Sequence, residues 1–353
     1  MLTDWCSEFT LQSMKTSNGL EGVVAAETRL SMVDGERGEL VIGGFRVEEL
    51  ASWRFEDVVE LLWGFAPVRV PWKAAALPPH SKMMDALRAG IAALSEEDDR
   101  TAASMLLWAC PAIVAAHWRA SRGLGAIEPR ADLGLAANYL WMLNGVEANP
   151  EIVRGLETYL NTVIDHGLNA STFTARVIIS TNSDFVSAIT GAIGALKGPL
   201  HGGAPGPALD MVFEIGDASR AEEVLRHKIE SGERLMGFGH RVYKVRDPRA
   251  DVLAAAAERM FTRAGDMHLY DLARAVEHTA LRLLEEYKPG RRLQTNVEFY
   301  TALLLHGIGL ETALFTPTFA IGRTAGWLAH CFEQRAEGRL IRPQSVYVGA
   351  MPA

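Results

Sequence analysis

DMHLYDLARAVEHTALRLLEEYK, running from Asp266 to Lys288, sets Leu269, Leu272, Val276, Ala280, Leu283 and Tyr287 at alternating three- and four-residue steps and stops at Pro289-Gly290. That spacing lays one apolar stripe along an α-helix, and the Pro-Gly pair ends it. Two further stretches read the same way. Ser219-Arg220-Ala221-Glu222 has the form of a capping box ahead of a helix that carries Leu225 and Ile229 and ends near Gly232. Pro317 to Glu333 is rich in Ala, Phe, Leu and Trp and polar only at intervals, as in a helix buried on most sides. The apolar run from Ala102 to Ala116 contains Ser104 and Pro111 and is closed by His117-Trp118-Arg119. It is too short to cross a membrane and reads as a buried helix pair. Strand signals are confined to Leu30 to Gly44, where Asp34-Gly35 and Arg37-Gly38 separate short apolar runs such as Leu40-Val41-Ile42, so one small hairpin is expected. Strands and helices do not alternate and no fixed-period repeat is visible, which leaves an all-α protein with one hairpin. Pro67 to Pro79 reads as an ordered connection between helices.

Composition narrows the function classes. The chain has 353 residues, 48% of them hydrophobic and 22% charged, enough for a sizeable core and typical of a globular protein. Thirty-five Lys plus Arg against forty-three Asp plus Glu leave a net charge of -8, which repels nucleic acid and anionic membranes; an anionic ligand needs a local basic cluster. Cys6, Cys110 and Cys331 are too scattered for a disulfide framework or a thiolate metal site, which fits a reducing cytoplasm. The N-terminus opens without a basic stretch and apolar core, so no secretory signal is expected. Asn169-Ala-Ser matches the glycosylation pattern only by chance on that reading.

Chemistry concentrates in two glycine-rich loops. In the first, His201 precedes Gly202-Gly203 and Pro205, just ahead of an expected helix N-terminus. The positive end of a helix disfavours imidazolium, and a neutral imidazole can donate a hydrogen bond to a carbonyl oxygen becoming an enol. A histidine capping its own loop would look the same. The second loop gathers His240, Arg241, Lys244, Arg246 and Arg249 within ten residues, opposed only by Asp247. Gly237 and Gly239 would let backbone approach a flat or phosphorylated ligand while the arginines clamp carboxylates; a solvated basic loop is the plainer alternative. A third glycine and a preceding strand are missing, so this is no dinucleotide fingerprint.

Elsewhere, Asp165-His166 leads into Asn169-Ala-Ser-Thr-Phe-Thr-Ala-Arg176, whose small residues suggest close helix packing with His166 either in the core or at the edge. Glu298, in Asn296-Val-Glu-Phe-Tyr300, is acidic in an apolar setting, where burial disfavours its charge and makes it a plausible base. Arg323 and Arg342 stand in apolar or helical surroundings and each needs a carboxylate from protein or ligand. No His-Glu-x-x-His helix, paired cysteines, calcium loop, Gly-x-Ser-x-Gly or Walker pattern occurs, so no metal is expected. Histidines, one carboxylate and arginines suit enolisation and carbon–carbon bond formation.

Taken together, Pro199-Leu-His-Gly-Gly-Ala204, Gly237-Phe-Gly-His-Arg-Val-Tyr-Lys244, Asp247-Pro-Arg249, Phe315-Thr-Pro317, Gly322-Arg-Thr-Ala-Gly-Trp-Leu-Ala-His330 and Arg342-Pro resemble citrate synthases in order and spacing. The resemblance runs from about Gly19 to Tyr347-Val-Gly349, nearly the whole chain. It implies a helical homodimer, with a large domain (1–203 and 310–353) and a small domain (204–309) closing over oxaloacetate before acetyl-CoA is engaged. It implies an acyltransferase in which His201 hydrogen-bonds the thioester carbonyl, His240 polarises the ketone of oxaloacetate and Glu298 takes a proton from the acetyl methyl group. His166, Arg249 and Arg323 match oxaloacetate ligands, and Arg342 matches the arginine that enters the neighbouring subunit's site. Gly237, Gly239, Arg241, Tyr243, Lys244 and Pro317 match regions that hold coenzyme A, which is a substrate; no cofactor is implied.

Three positions depart from the family pattern: Glu298 replaces the usual aspartate, Gly167 stands where many relatives carry Glu, and Pro205 where many carry Asn. The extra methylene of Glu298 extends the carboxylate, and a misplacement of about 1 Å costs on the order of 10²-fold in rate. Either the backbone retreats to compensate, or the site takes a bulkier acyl-CoA or turns over slowly. The rivals to a citrate synthase are therefore a 2-methylcitrate synthase using propionyl-CoA and a weakly catalytic paralogue that binds oxaloacetate or acyl-CoA.

Overall fold

The computed structural model describes residues 18–20, 22–70, 82–202 and 205–352. Most of the Pro67 to Pro79 connection, together with Gly203 and Ala204, lies outside these residues. A three-stranded antiparallel sheet comes first, β1 (Ser31–Asp34), β2 (Glu39–Ile42) and β3 (Phe45–Arg46), in the order β1-β2-β3. Helices α1 (Val47–Leu50), α2 (Phe55–Trp63), α3 (Met83–Ala92), α4 (Asp99–Ala120), α5 (Leu135–Asn144), α6 (Pro150–Val163) and α7 (Ala170–Ile179) follow. The rest of the chain is α8 (Phe185–Leu196), α9 (Pro205–Ile215), α10 (Ala221–Glu230), α11 (Pro248–Ala264), α12 (His268–Tyr287), α13 (Val297–Gly307) and α14 (Phe315–Glu337). The hairpin pairs Ser31 with Ile42 and Val33 with Leu40, and alternation turns Leu40 and Ile42 into the core.

The stretch from Asp266 to Lys288 forms α12, which buries Leu272, Val276, Ala280 and Leu283 and packs against α10, where Leu225 and Ile229 are buried. The cap of α10 differs from the expected box. Asp217 accepts the Ser219 amide at 2.8 Å and starts a 3₁₀ turn (Ala218–Arg220) that leads into the helix, while Glu222 pairs with Arg226 and Arg282. An aspartate outcompeted the serine two residues later. The expected helix pair at 102–116 is one continuous helix, α4, started by Asp98 accepting the Thr101 amide at 2.8 Å. Pro111 removes one backbone donor, but burial on all sides holds the helix through it. At 22 residues α4 is long and apolar enough to cross a membrane, yet two-thirds of its most apolar window is buried in the protein, as in a core helix.

Helix α14 is the hub, in contact with α2, α4, α6, α7 and α8. Gly322 and Gly326, one turn apart, bring its backbone against the end of α6. A Cβ at Gly322 would lie 3.0 Å from Val163 Cγ2, and one at Gly326 would overlap the Ile164 carbonyl oxygen. This seam puts Arg323 beside Val163 and sets the segment 164–167 against α14. We predict that Gly326→Ala destabilises the fold by about 1–3 kcal/mol through overpacking. A urea melt checks this; an unmoved midpoint would contradict the seam.

Candidate active site

Three caps start the helices that bear on the site. Asn169 accepts the Thr172 amide at 3.2 Å and begins α7, Asp247 accepts the Arg249 amide at 3.0 Å and begins α11, and Asn296 accepts the Glu298 amide at 3.0 Å and begins α13. Between them runs the 237–249 loop. Gly239 donates to the Gln294 carbonyl at 2.7 Å, Asn296 donates to the Gly237 carbonyl at 3.0 Å, and Phe238 and Thr295 form an isolated bridge. Gly237 and Gly239 have φ of +88° and +83°, and a Cβ there would meet Phe299 at 2.9 Å and Leu293 at 3.0 Å. The two glycines thus let Phe299 and Leu293 pack closely on the loop, and they join the His240 loop to the turn carrying Glu298.

His240, His166 and Tyr243 cluster at ring-centroid distances of 5.7 Å (His166–His240), 5.0 Å (His240–Tyr243) and 5.6 Å (His166–Tyr243), with His166 Nε2 3.2 Å from the Tyr243 hydroxyl. The amides of Val242 and Tyr243 both donate to His240 Nδ1, at 3.0 and 3.1 Å. That nitrogen therefore has no proton, and Nε2 carries it. Arg249 Nη2 lies 3.5 Å from Nε2, so two donors sit side by side, with no acceptor between them among the described residues. Burial, then the Arg249 charge, pushes the His240 pKa down to about 4. Burial and the nearby Arg249, Arg323 and His240 likewise hold His166 well below its ordinary value. Arg249 is clamped by Asp247, through Nε at 3.0 Å and Nη2 at 2.8 Å, and Asp247 also accepts the Val297 amide at 3.2 Å. One buried aspartate thereby ties the arginine to the start of the Glu298 helix.

His201 sits four residues before α9, as expected, and burial, then the Arg323 charge, lowers its pKa. Its Nε2 is 2.8 Å from Ser171 Oγ, which donates to Asn169 Oδ1 at 2.8 Å and accepts Trp327 Nε1–H at 3.1 Å. With the serine proton on Asn169, His201 Nε2 is the donor. Turning the hydroxyl toward His201 makes Nε2 the acceptor and leaves the ring proton on Nδ1, while Asn169 Oδ1 keeps the Thr172 amide. The Phe315-Thr-Pro317 segment supports this loop from behind: Thr316 Oγ1 donates to the Gly202 carbonyl at 2.7 Å, and Pro317 is buried in the first turn of α14.

Arg323 is 2% exposed and donates through Nε to the Val163 carbonyl at 2.7 Å, with its guanidinium 4.8 Å from the Phe319 ring. It has no carboxylate at ion-pair distance among the described residues. Burial pulls its pKa down to about 10; the Asp165 charge opposes this and the Arg249 charge adds to it. Glu298, half-buried, makes no side-chain hydrogen bond among the described residues. Burial and the Asp247 charge raise its pKa to about 7 against Arg249 and Arg234. Behind His166 lies a buried chain of polar groups. Arg176 Nη1 donates to Glu333 at 2.6 Å and to His330 Nδ1 at 3.0 Å, and His330 Nε2 donates to Asp165 Oδ1 at 3.1 Å. Asp165 in turn accepts from Ser31.

The structure separates some expected residues from this cluster. Arg342 is exposed on the extended segment after α14 rather than buried in a helix, and with Phe173 and Ile341 lines a largely apolar pocket of about 420 Å³. Arg246 is taken up by Asp251 and the buried Glu277, leaving Arg241 and Lys244 exposed on the loop. Ser171, Trp327, Asp247 and Ser31 were not singled out as site residues. For Asp247 the signal was present as the one acid in a basic loop; Ser171 lay in a run read only as packing.

The sequence profile of the citrate synthase C-terminal domain matches residues 19–344. Citrate synthase 2 of Bacillus subtilis (strain 168) is 39% identical, covering 95% of this chain and 96% of that protein. The 2-methylcitrate synthase of Mycobacterium tuberculosis (strain Erdman) is 37% identical over 94% of this chain and 90% of that protein. Among solved structures, citrate synthase from Thermoplasma acidophilum, in ternary complex with carboxymethyl coenzyme A and oxaloacetate, superposes with a TM-score of 0.85 at 31% identity, covering 96% and 97% of the two chains. A fold of this kind with this cluster defines an acyltransferase-type enzyme. The chain belongs to the citrate synthase family.

The proton inventory is testable directly. With ¹⁵N-labelled histidine, His240 should show an unprotonated Nδ1 and a protonated Nε2, with no titration above about pH 5; a midpoint near 6.5 would contradict the two amide bonds. Since His166, His201 and His240 have folded pKa values below their unfolded ones, the unfolded chain binds more protons as pH falls. Stability should therefore decline between about pH 6.5 and 4, as read from thermal melts.

Proposed function

We propose that this enzyme condenses acetyl-CoA with oxaloacetate and hydrolyses citryl-CoA to citrate and CoA. The observation that carries the reading is the neutral His240 with Nε2–H beside Arg249, together with the buried Arg323 that has no carboxylate of its own. A small dianionic 2-oxo acid supplies what they lack: a carboxylate for Arg323, and oxygen acceptors for His240 Nε2–H and the Arg249 donor beside it. Glu298, poised near pH 7, takes a proton from the acetyl methyl group while His201 Nδ1–H donates to the thioester oxygen. The enol carbon attacks the ketone carbon, the ketone oxygen takes up a proton, and water then cleaves the thioester to release the thiol. No electrons are exchanged, so the reaction proposed needs no redox cofactor.

Within this reading His166 joins Arg249 and Arg323 on oxaloacetate, and the 237–244 loop with Phe315-Thr-Pro317 takes the CoA. Residues 204–309 close as a small domain on the rest. The exposed Arg342 supports a homodimer in which each chain completes its partner's site. A cytoplasmic place in the tricarboxylic acid cycle suits that activity. A second reading, 2-methylcitrate synthase, is favoured by the relative of that name and by Glu298, whose length alters the space beside the acyl group. One methylene discriminates by only about 1–3 kcal/mol, so activity with both acyl-CoAs is expected.

Thiol release with oxaloacetate and acetyl-, propionyl- or butyryl-CoA decides between them. The reading predicts the highest kcat/KM for acetyl-CoA. A preference for propionyl-CoA would make it a methylcitrate-type enzyme, and no release with oxaloacetate still bound would make it a binding paralogue. Because the base must be ionised, kcat/KM for acetyl-CoA should rise with pH through about 7, and Glu298→Gln should abolish turnover. A flat profile from pH 5.5 to 8 would remove Glu298 from that role.

A further inference from the structure

The β1–β2 hairpin supplies no group to the cluster of histidines and arginines, yet it touches all three backbone segments that carry His166, His240 and Glu298. At its root, Ser31 Oγ donates to Asp165 and accepts the Gly167 amide at 2.9 Å, so the strand holds both neighbours of His166. Gly167 has φ +59°, and a Cβ there would sit 3.7 Å from Val33 Cγ2. At the tip, the Gly35 carbonyl accepts the Lys244 amide at 2.9 Å. A Cβ at Gly35 would overlap the Val242 carbonyl oxygen, and one at Gly38 would lie 2.7 Å from Val245 Cγ2. Glu36 pairs at 3.1 Å with Arg292, on the turn leading to Thr295 and Glu298. The tip is braced internally, because Asp34 Oδ1 accepts the amides of Glu36 and Arg37 at 3.0 and 2.9 Å.

We propose that this hairpin is a positioning element: it spans from the His166 turn to the outer limb of the His240 loop and sets the distance between the two imidazoles, with Gly35 as the contact that admits no side chain. The 237–249 loop is joined to 294–296 on its inner side, but Arg241, Val242 and Lys244 are exposed. The hairpin tip supports that outer side. Moving Val242 and Tyr243 moves the two amides that fix the His240 tautomer, so a displacement at the tip reaches the hydrogen-bond donor itself. The inference rests on the proposed binding of oxaloacetate between His166, His240 and the arginines.

Gly35→Ala tests it from the tip, since the position has no positive φ and alanine alters only the contact with Val242. Ser31→Ala tests it from the root and decides the matter if Gly35→Ala does not fold. Calorimetric titration and steady-state kinetics should show oxaloacetate Kd and KM raised about tenfold or more in each variant. Oxaloacetate Kd measured without CoA is the deciding readout, because the same loop is proposed to take CoA, and the melting temperature should stay near the parent's. Parent-like oxaloacetate binding in both variants would overturn the hairpin's role while leaving the proposed reaction intact. A melting temperature that falls in step with the loss of oxaloacetate affinity would show a structural edge and nothing more. Should the parent itself fail to bind oxaloacetate, the functional reading falls and the inference with it.

Discussion

A guanidinium buried without a carboxylate is the constraint around which the rest of this molecule is arranged. An isolated charge at the Arg323 position is costly, and its one direct hydrogen bond in the described structure is to the Val163 carbonyl at 2.7 Å. The fold accommodates it by bringing α14 against the end of α6 along Gly322 and Gly326, which places that carbonyl within reach. It also keeps Asp165 ionised nearby. Burial alone would raise the Asp165 pKa, but His330, Arg323 and the Ser31 hydroxyl hold it below the ordinary range. The chain from Arg176 through His330 to Asp165 thus serves two ends: it satisfies buried polar atoms and supplies the negative charge that lets Arg323 remain a cation.

The same field sets the imidazoles. His166, His201 and His240 are all held in the neutral form by burial, with Arg323 or Arg249 adding to it, so each can donate one hydrogen bond without carrying a charge. Glu298 is pushed the other way, toward protonation, by burial and Asp247. One environment therefore keeps the imidazoles neutral at pH 7 and brings the titration of the Glu298 carboxyl up to about 7. The longer glutamate cannot be absorbed by Glu298 alone. Its amide bonds to Asn296, its neighbour Val297 bonds to Asp247, and Gly237 packs on Phe299, so any retreat of the carboxylate is shared with the His240 loop.

The helical class was legible because periodicity reports burial, and α12 and α14 bury the faces their spacing announced. The hairpin was legible from Asp34-Gly35 and Arg37-Gly38. Local competition was not: Asp217 in place of Ser219 as the cap, and α4 running through Pro111, depend on tertiary packing. The site was half legible. His201, His240, Arg249, Arg323 and Glu298 stood out by chemistry, and the structure brings His166, His240 and Arg249 into one cluster that shares a field with Arg323. The second contact partners, Ser171, Trp327 and Ser31, are ordinary residue types whose meaning comes only from what they touch. Arg342 resembled a buried cation in sequence because Ile341 and Pro343 flank it, yet a short apolar neighbourhood does not bury a chain segment beyond the last helix.

The most direct test concerns the empty partnership of Arg323. Thermal melts of the parent and of Arg323→Met, with and without oxaloacetate, separate a charge held for ligand from one held for structure. The account predicts that oxaloacetate raises the parent's melting temperature and leaves the variant's unchanged, while the two ligand-free proteins melt close together because methionine removes an unpaired buried charge. An undiminished oxaloacetate-dependent rise in Arg323→Met, or a ligand-free variant that has lost much of its stability, would contradict it.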